Sequence, residues 1–131
     1  VRGLSERSYP DITTPEGFCF MVSRTCLDTI GYFDEAFRRG YGEESDLSMR
    51  ARYFGFRTVL ADATYIYHRG RGTFGQEQRD ALYESNRHIF NDRWKARYPH
   101  DLDEFLERDP VGVIARRVEE AVPTTRPAFK R

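Results

Sequence analysis

No apolar run in the chain approaches the roughly 20 residues of a helical membrane span, so none of it reads as one. Neither charge sign is in surplus. Lys+Arg and Asp+Glu are both 21, a formal net charge of zero, and nothing in that balance demands nucleic acid or an anionic membrane as partner. No secretory leader pattern opens the chain, and its first residue is Val rather than Met, which reads as a piece of something longer. Cysteine is scarce: Cys19 and Cys26, seven residues apart, match neither a CxxC motif nor a zinc spacing. Two reduced, half-buried thiols of a cytoplasmic protein fit this usage, and so does a disulfide. Internal repeats and low-complexity segments are absent as well. What is present is core material. With 131 residues, 39% hydrophobic and 15% aromatic, the chain is long enough for one small domain and too apolar for a disordered one.

The stretch around which the rest is organised is Gly40-Tyr41-Gly42-Glu43-Glu44-Ser45-Asp46-Leu47-Ser48-Met49-Arg50. Leu47, Ala51 and Phe54 recur at the spacing of one buried helical stripe, so the sequence predicts a helix from about Glu44 to Phe54, ended by Gly55. Glu43, Glu44 and Asp46 then fall at its first turn, where free backbone N–H groups and the positive end of the helix dipole favour negative charge. The simplest role for such acids is capping. The sharper role is a carboxylate held on a rigid helix end beside a glycine turn, an arrangement suited to deprotonating a hydroxyl.

Around this helix the pattern predicts short strands at residues 17–23, 58–61 and 64–68. Ser23 is placed to cap a short helix from Arg24 to Ile30, stopped by Gly31. Residues 33–37 read as a loop or short turn. Residues 69–75 hold three glycines and suit a lid or a backbone cradle for phosphate, although they match neither a P-loop nor GxGxxG. A helical pattern follows from Gln76 to about Tyr98, with Leu82, Ile89, Phe90, Trp94 and Tyr98 in one stripe and Pro99 closing it. Residues 101–108 form a further helix, Asp109-Pro110 opens the last one, and residues 123–131 read as a frayed tail. Arg116, Arg117, Arg126, Lys130 and Arg131 sit near Glu107, Glu119 and Glu120, which describes a mixed solvated face rather than a nucleic-acid surface.

The ordered set Gly17-Phe-Cys-Phe-Met-Val-Ser-Arg24, Gly31-Tyr-Phe-Asp-Glu-Ala-Phe37, Gly40-Tyr-Gly-Glu-Glu-Ser-Asp-Leu47, Arg50 and Gly55, then Ala61-Asp62, Tyr67-His68 and the glycine loop, resembles family 2 glycosyltransferases of the GT-A fold. The resemblance covers residues 17 to about 75 and weakens through Trp94 and Asp109-Pro110. It implies an α/β fold class, here a partial GT-A-like sheet of few short strands with flanking helices and a helical C-terminal extension. Residues 1–75 would be the acceptor-side half of the transferase domain, 76–122 the extension and 123–131 the tail.

By that resemblance Glu44 takes the place of the base that deprotonates the acceptor hydroxyl, with Asp46 and Glu43 in support. Gly17, Tyr41, Gly42, Arg50, Arg69, Gly70 and Gly72 would line the donor and acceptor. His68 would lie near the diphosphate and a divalent cation, Mn or Mg. The partners implied are a nucleotide-diphospho-sugar donor and a glycan or lipid-linked acceptor, and the location is the cytoplasm or the inner face of the membrane. The family's Asp-x-Asp metal motif and nucleotide-binding strands precede the part resembled, and Asp101-Leu102-Asp103 lies in a helical pattern rather than at a strand end. The isolated chain is therefore expected to be inactive. The competing expectation is an interaction module without catalysis, whose half-sheet edge would make the fragment self-associate.

Overall fold

The computed structural model describes residues 7–69 and 75–121. The Ser23 hydroxyl accepts from the Cys26 N–H and starts α1 (Arg24–Ile30), and Gly31, at φ 79°, ends it. The Asp34 carboxylate accepts from the Ala36 N–H and starts a single 3-10 turn, Glu35–Phe37. After it come α2 (Glu43–Tyr53), α3 (Gln76–Trp94), α4 (Tyr98–Arg108) and α5 (Pro110–Ala121). Asp109 links the last two helices. At φ 42° it caps α4, and its side chain accepts from the Gly112 N–H at 3.0 Å to open α5 behind Pro110. Pro99 does not follow a continuous long helix as the sequence predicts. It sits in the first turn of α4, where its missing N–H costs nothing.

The described residues contain no strand, so the expected α/β class with a partial GT-A-like sheet is corrected to an all-helical one. A strand persists only where a neighbour completes its hydrogen-bond ladder. Residues 17–23 have none, and Met21 is 98% exposed. Residues 58–61 come closest: Ile12 N–H donates to the Thr58 carbonyl at 3.0 Å and Leu60 N–H to the Pro10 carbonyl at 2.9 Å. This antiparallel pairing stays a single bridge between Asp11 and Val59. Pro10 has no N–H to extend it, and the Thr64 N–H turns back onto the Ala61 carbonyl. Residues 64–68 are extended but unpaired.

α2 lies at the centre. It buries Leu47 and Ala51 as the stripe predicts, and also Asp46, Ser48 and Met49. Phe54, expected on that stripe, is 57% exposed, because the helix stops at Tyr53 and Gly55 turns the chain. Phe37 from the 3-10 turn, 1% exposed, joins this core. The remaining buried side chains are largely polar, and each has its own partners. Asn86 of α3 donates to the Phe37 carbonyl at 2.8 Å and the Gly40 carbonyl at 2.6 Å. Asp101 of α4 accepts from Arg52 and Arg97. Asp62 accepts from the Ser8 N–H and hydroxyl.

The strongest of these polar sites is Asp46, which is fully buried. One oxygen accepts from Arg50 Nε at 2.9 Å. The other accepts from Trp94 Nε1 at 2.9 Å and Arg93 Nη1 at 3.1 Å. A carboxylate out of water is tolerated only with such donors, and removing its charge leaves cations unpaired. Asp46→Asn is expected to lower unfolding free energy by about 3 kcal/mol, read from urea denaturation midpoints. An unchanged midpoint would deny Asp46 its structural role.

Candidate functional site

The site is built at the start of α2. Gly40, Tyr41 and Gly42 have φ of 116°, 73° and 102°, three successive residues on the left-handed side. Glycine accepts this readily; tyrosine does so at a cost. A Cβ on Gly42 would meet the Phe37 ring at 3.2 Å, so the helix entry needs glycine for space as well as for φ. Asn86 fixes the turn from the other side through the Phe37 and Gly40 carbonyls. Such a non-glycine residue is kept in strain only where its surroundings hold it.

This turn delivers Glu43 and Glu44 as a pair. The Glu43 carboxylate lies over Gly40 and the Glu44 carboxylate over Gly17: a Cβ on either glycine would stand 3.4 Å from the acid. One buried oxygen of each, Oε2, has no hydrogen-bond partner among the described residues. Burial pushes the Glu44 carboxyl above its ordinary value. The charge of Glu43 and a hydrogen bond between the two carboxyls push the same way, while the N–H groups of Glu44 and Gly42 pull it back. The result is a pair of neighbouring carboxyls in which Glu44, next to Gly17, holds its proton more readily than a free glutamate would.

The other expected site residues fall into three groups. His68 stacks face to face on Phe18, ring centres 4.3 Å apart, which brings it to the neighbour of Gly17. Arg69 continues that exposed stretch, and Gly70 and Gly72 lie outside the described residues. Asp46 and Arg50 turn inward. Besides Asp46, Arg50 donates to the Ile30 carbonyl at 2.6 Å and the Tyr32 carbonyl at 2.8 Å. It thereby ties the end of α1 to α2, and the nitrogens expected to meet a substrate are bonded within the protein. No group of three or more His, Cys, Asp or Glu among the described residues is arranged to hold a metal ion. His68 has an aromatic ring, not carboxylates, against its face. The described residues do not form the expected cation site. Both cysteines are free thiols: Cys19 is exposed, and Cys26 is buried, with burial raising its pKa.

Sequence reasoning missed Asn86, Phe18 and Arg93. Asn86 had a signal. It lies four residues after Leu82 and four before Phe90, a polar side chain inside an apolar stripe, which marks a buried group with assigned partners.

No family model matches the chain, and no solved structure matches it. With no sheet among the described residues either, the resemblance to family 2 GT-A glycosyltransferases is not upheld. The chain is similar to an uncharacterized protein of Mycobacterium bovis and to two of Mycobacterium tuberculosis, each 36% identical over 67 residues. That match covers 50% of this chain and 26% of each relative, so it spans about a quarter of the curated proteins' length. No helix among the described residues is long and apolar enough to cross a membrane.

The raised pKa of Glu44 has a consequence for stability. A carboxyl whose folded-state value lies above its unfolded one favours the folded protein at low pH, where it is protonated in both states' reference range. That advantage is lost as pH rises through the folded value. Glu44→Gln, neutral throughout, is therefore expected to melt higher than the parent protein at pH 7. The difference should shrink toward zero below pH 4.5, the ordinary glutamate value. Thermal melts from pH 3 to 8 test this, and a Glu44→Gln melt that stays below the parent's at neutral pH would contradict the burial of the charge.

Proposed function

We propose that this segment supplies the acceptor-activating part of a sugar transferase, an enzyme that moves a hexose from a nucleotide-diphospho-sugar to a glycan or lipid-linked hydroxyl. Glu44 is the base: its carboxylate takes the proton of the attacking hydroxyl as that oxygen bonds to the anomeric carbon and the nucleotide diphosphate leaves. The observation that carries this reading is the half-buried Glu43–Glu44 pair, with an unpartnered oxygen on each acid and Glu44 over Gly17. A base works best with its pKa near the working pH, and burial moves Glu44 in that direction. Gly17 lets a substrate oxygen come close to the carboxyl, since even a Cβ there would already be in van der Waals contact with it, at 3.4 Å. The strained Gly40-Tyr41-Gly42 turn is the kind of backbone that surroundings maintain at working sites. The nucleotide and the remainder of the sugar pocket belong to the whole polypeptide. In that full-length protein Glu44→Gln should reduce turnover about 10²- to 10⁴-fold while donor affinity holds. Near-normal turnover would reject the assignment.

A second reading rests on a different surface. Phe18, Met21, Tyr32 and Phe33 are exposed, and Phe33 makes a ring contact with Phe20; clustered exposed apolar side chains mark interaction surfaces. As an interaction module the segment would use that face and leave the acids as helix caps. Sedimentation velocity decides it: concentration-dependent association abolished by Met21→Asp supports the module, and a strict monomer at all concentrations counts against it.

A further inference from the structure

A cleft lies at the opposite end of α2 from the carboxylate pair. Arg52 follows Glu44 by eight residues, about 12 Å along a helix axis. The cleft holds about 350 Å³, and four arginines line it: Arg52 at the end of α2, Arg57 after the turn, Arg97 at the start of α4 and Arg108 in its last turn. Two carboxylates, Asp11 and Glu104, line it too, and Asp101 lies behind them, buried. Cations thus outnumber the acids on the lining four to two.

The hydrogen bonds show which donors are spent. Arg52 and Arg97 both give Nε to the same oxygen of Asp101, at 3.2 and 3.3 Å, so two guanidinium groups share one acceptor. Arg108 gives Nε to the Glu104 carbonyl of its own helix. Arg57 spends Nε and one terminal nitrogen on Asp11 and the Tyr9 carbonyl. The terminal Nη groups of Arg52, Arg97 and Arg108 make no hydrogen bond to the described residues. Near the end of α2 the carbonyls of Arg50, Ala51 and Arg52, which would repel an anion, are engaged by the N–H groups of Phe54, Gly55 and Phe56.

We infer that this cleft binds a phosphate group, its oxygens accepting from the terminal nitrogens of Arg52, Arg97 and Arg108. A guanidinium offers two parallel donors matched to a phosphate edge. Three of them on one cleft supply more donors than the nearby acids can accept. The phosphate can come from a free phosphate ester or from a lipid headgroup, and the test separates the two.

Pyrophosphate is titrated calorimetrically into the parent protein and into three variants. Arg108 is half-exposed and bonds only within α4, so Arg108→Ala should keep the parent's melting temperature. It should lose about tenfold or more in pyrophosphate affinity, the loss of one charge-assisted contact. Arg108→Lys should fall between, and Arg116→Ala, on α5 outside the cleft, should bind as the parent does. Co-sedimentation with phosphatidylglycerol–phosphatidylcholine vesicles, against phosphatidylcholine alone, then assigns the source. Binding to the acidic vesicles that pyrophosphate displaces supports a headgroup, and pyrophosphate binding without vesicle binding supports a free phosphate ester. The proposal is overturned if neither probe binds, or if Arg108→Ala and Arg116→Ala weaken pyrophosphate alike.

Discussion

The buried carboxylate of Asp46 is the constraint on which the rest of the structure depends. It takes one donor from its own helix, Arg50, and two from α3, Arg93 and Trp94. Those donors reach further. Arg50 holds the carbonyls of Ile30 and Tyr32, and Arg93 continues to Asp34, the cap of the 3-10 turn, at 2.8 Å while its guanidinium lies over the Phe37 ring. One acid therefore ties α1, the 3-10 turn, α2 and α3 together. Its desolvation costs several kcal/mol, and that cost is met by geometry: move α3 and two of its three donors go. A fold with few fully buried apolar side chains gains directional specificity from such a hub that dispersion forces alone do not provide.

Three acids in four positions end up in two different roles because the helix turns them in different directions. Asp46 faces inward and is saturated with donors. Glu43 faces the glycine turn and Glu44 faces Gly17, each keeps an unpartnered oxygen, and Glu43 adds to the cost of ionising Glu44. The helix N-terminus favours all three charges, and at Asp46 three side-chain donors offset the cost of burial. For Glu44, burial and its neighbour do oppose it, and the carboxyl is pushed above its ordinary value. An unsatisfied group of this kind persists only where the surrounding structure holds it, here through Asn86 and the Gly40–Gly42 turn.

Much of the helical frame was legible in the sequence. Ser23 and Gly31 bracket α1, and Asp109-Pro110 opens α5, because caps act through the residue itself and its nearest backbone. The start of α2 and the stripe of α3 were legible for the same local reason. The strands were not. Residues 17–23 and 64–68 have strand composition, but composition does not supply a neighbouring strand, and β structure is decided by that partner. The site was legible in part: Glu43, Glu44, Gly17 and Gly42 come together, and His68 arrives beside them through Phe18. The inward roles of Asp46 and Arg50 were not, since a helical stripe drawn through Leu47, Ala51 and Phe54 puts Asp46 beside the core without saying that Arg93 and Trp94 will reach it from α3, forty-seven and forty-eight residues away.

Losing the sheet does not remove the argument for a working carboxylate, because the two stand on different observations. A fold-level likeness would have carried function by analogy, and analogy of that kind is weak even where the fold agrees. The acid pair stands on local geometry: a glycine turn with three left-handed residues, an asparagine that holds it, two carboxyls sharing a buried edge and a glycine opposite. Each of these goes beyond what capping needs, since a cap needs one acid and gains nothing from a second acid that raises its pKa. A pure cap at Glu44 would be a carboxylate eased by the helix end; the burial that dominates here works in the opposite direction. The pairing is thus a cost to the fold, and a cost held in place by Asn86 and the Gly-Tyr-Gly turn is what chemistry at Glu44 would require.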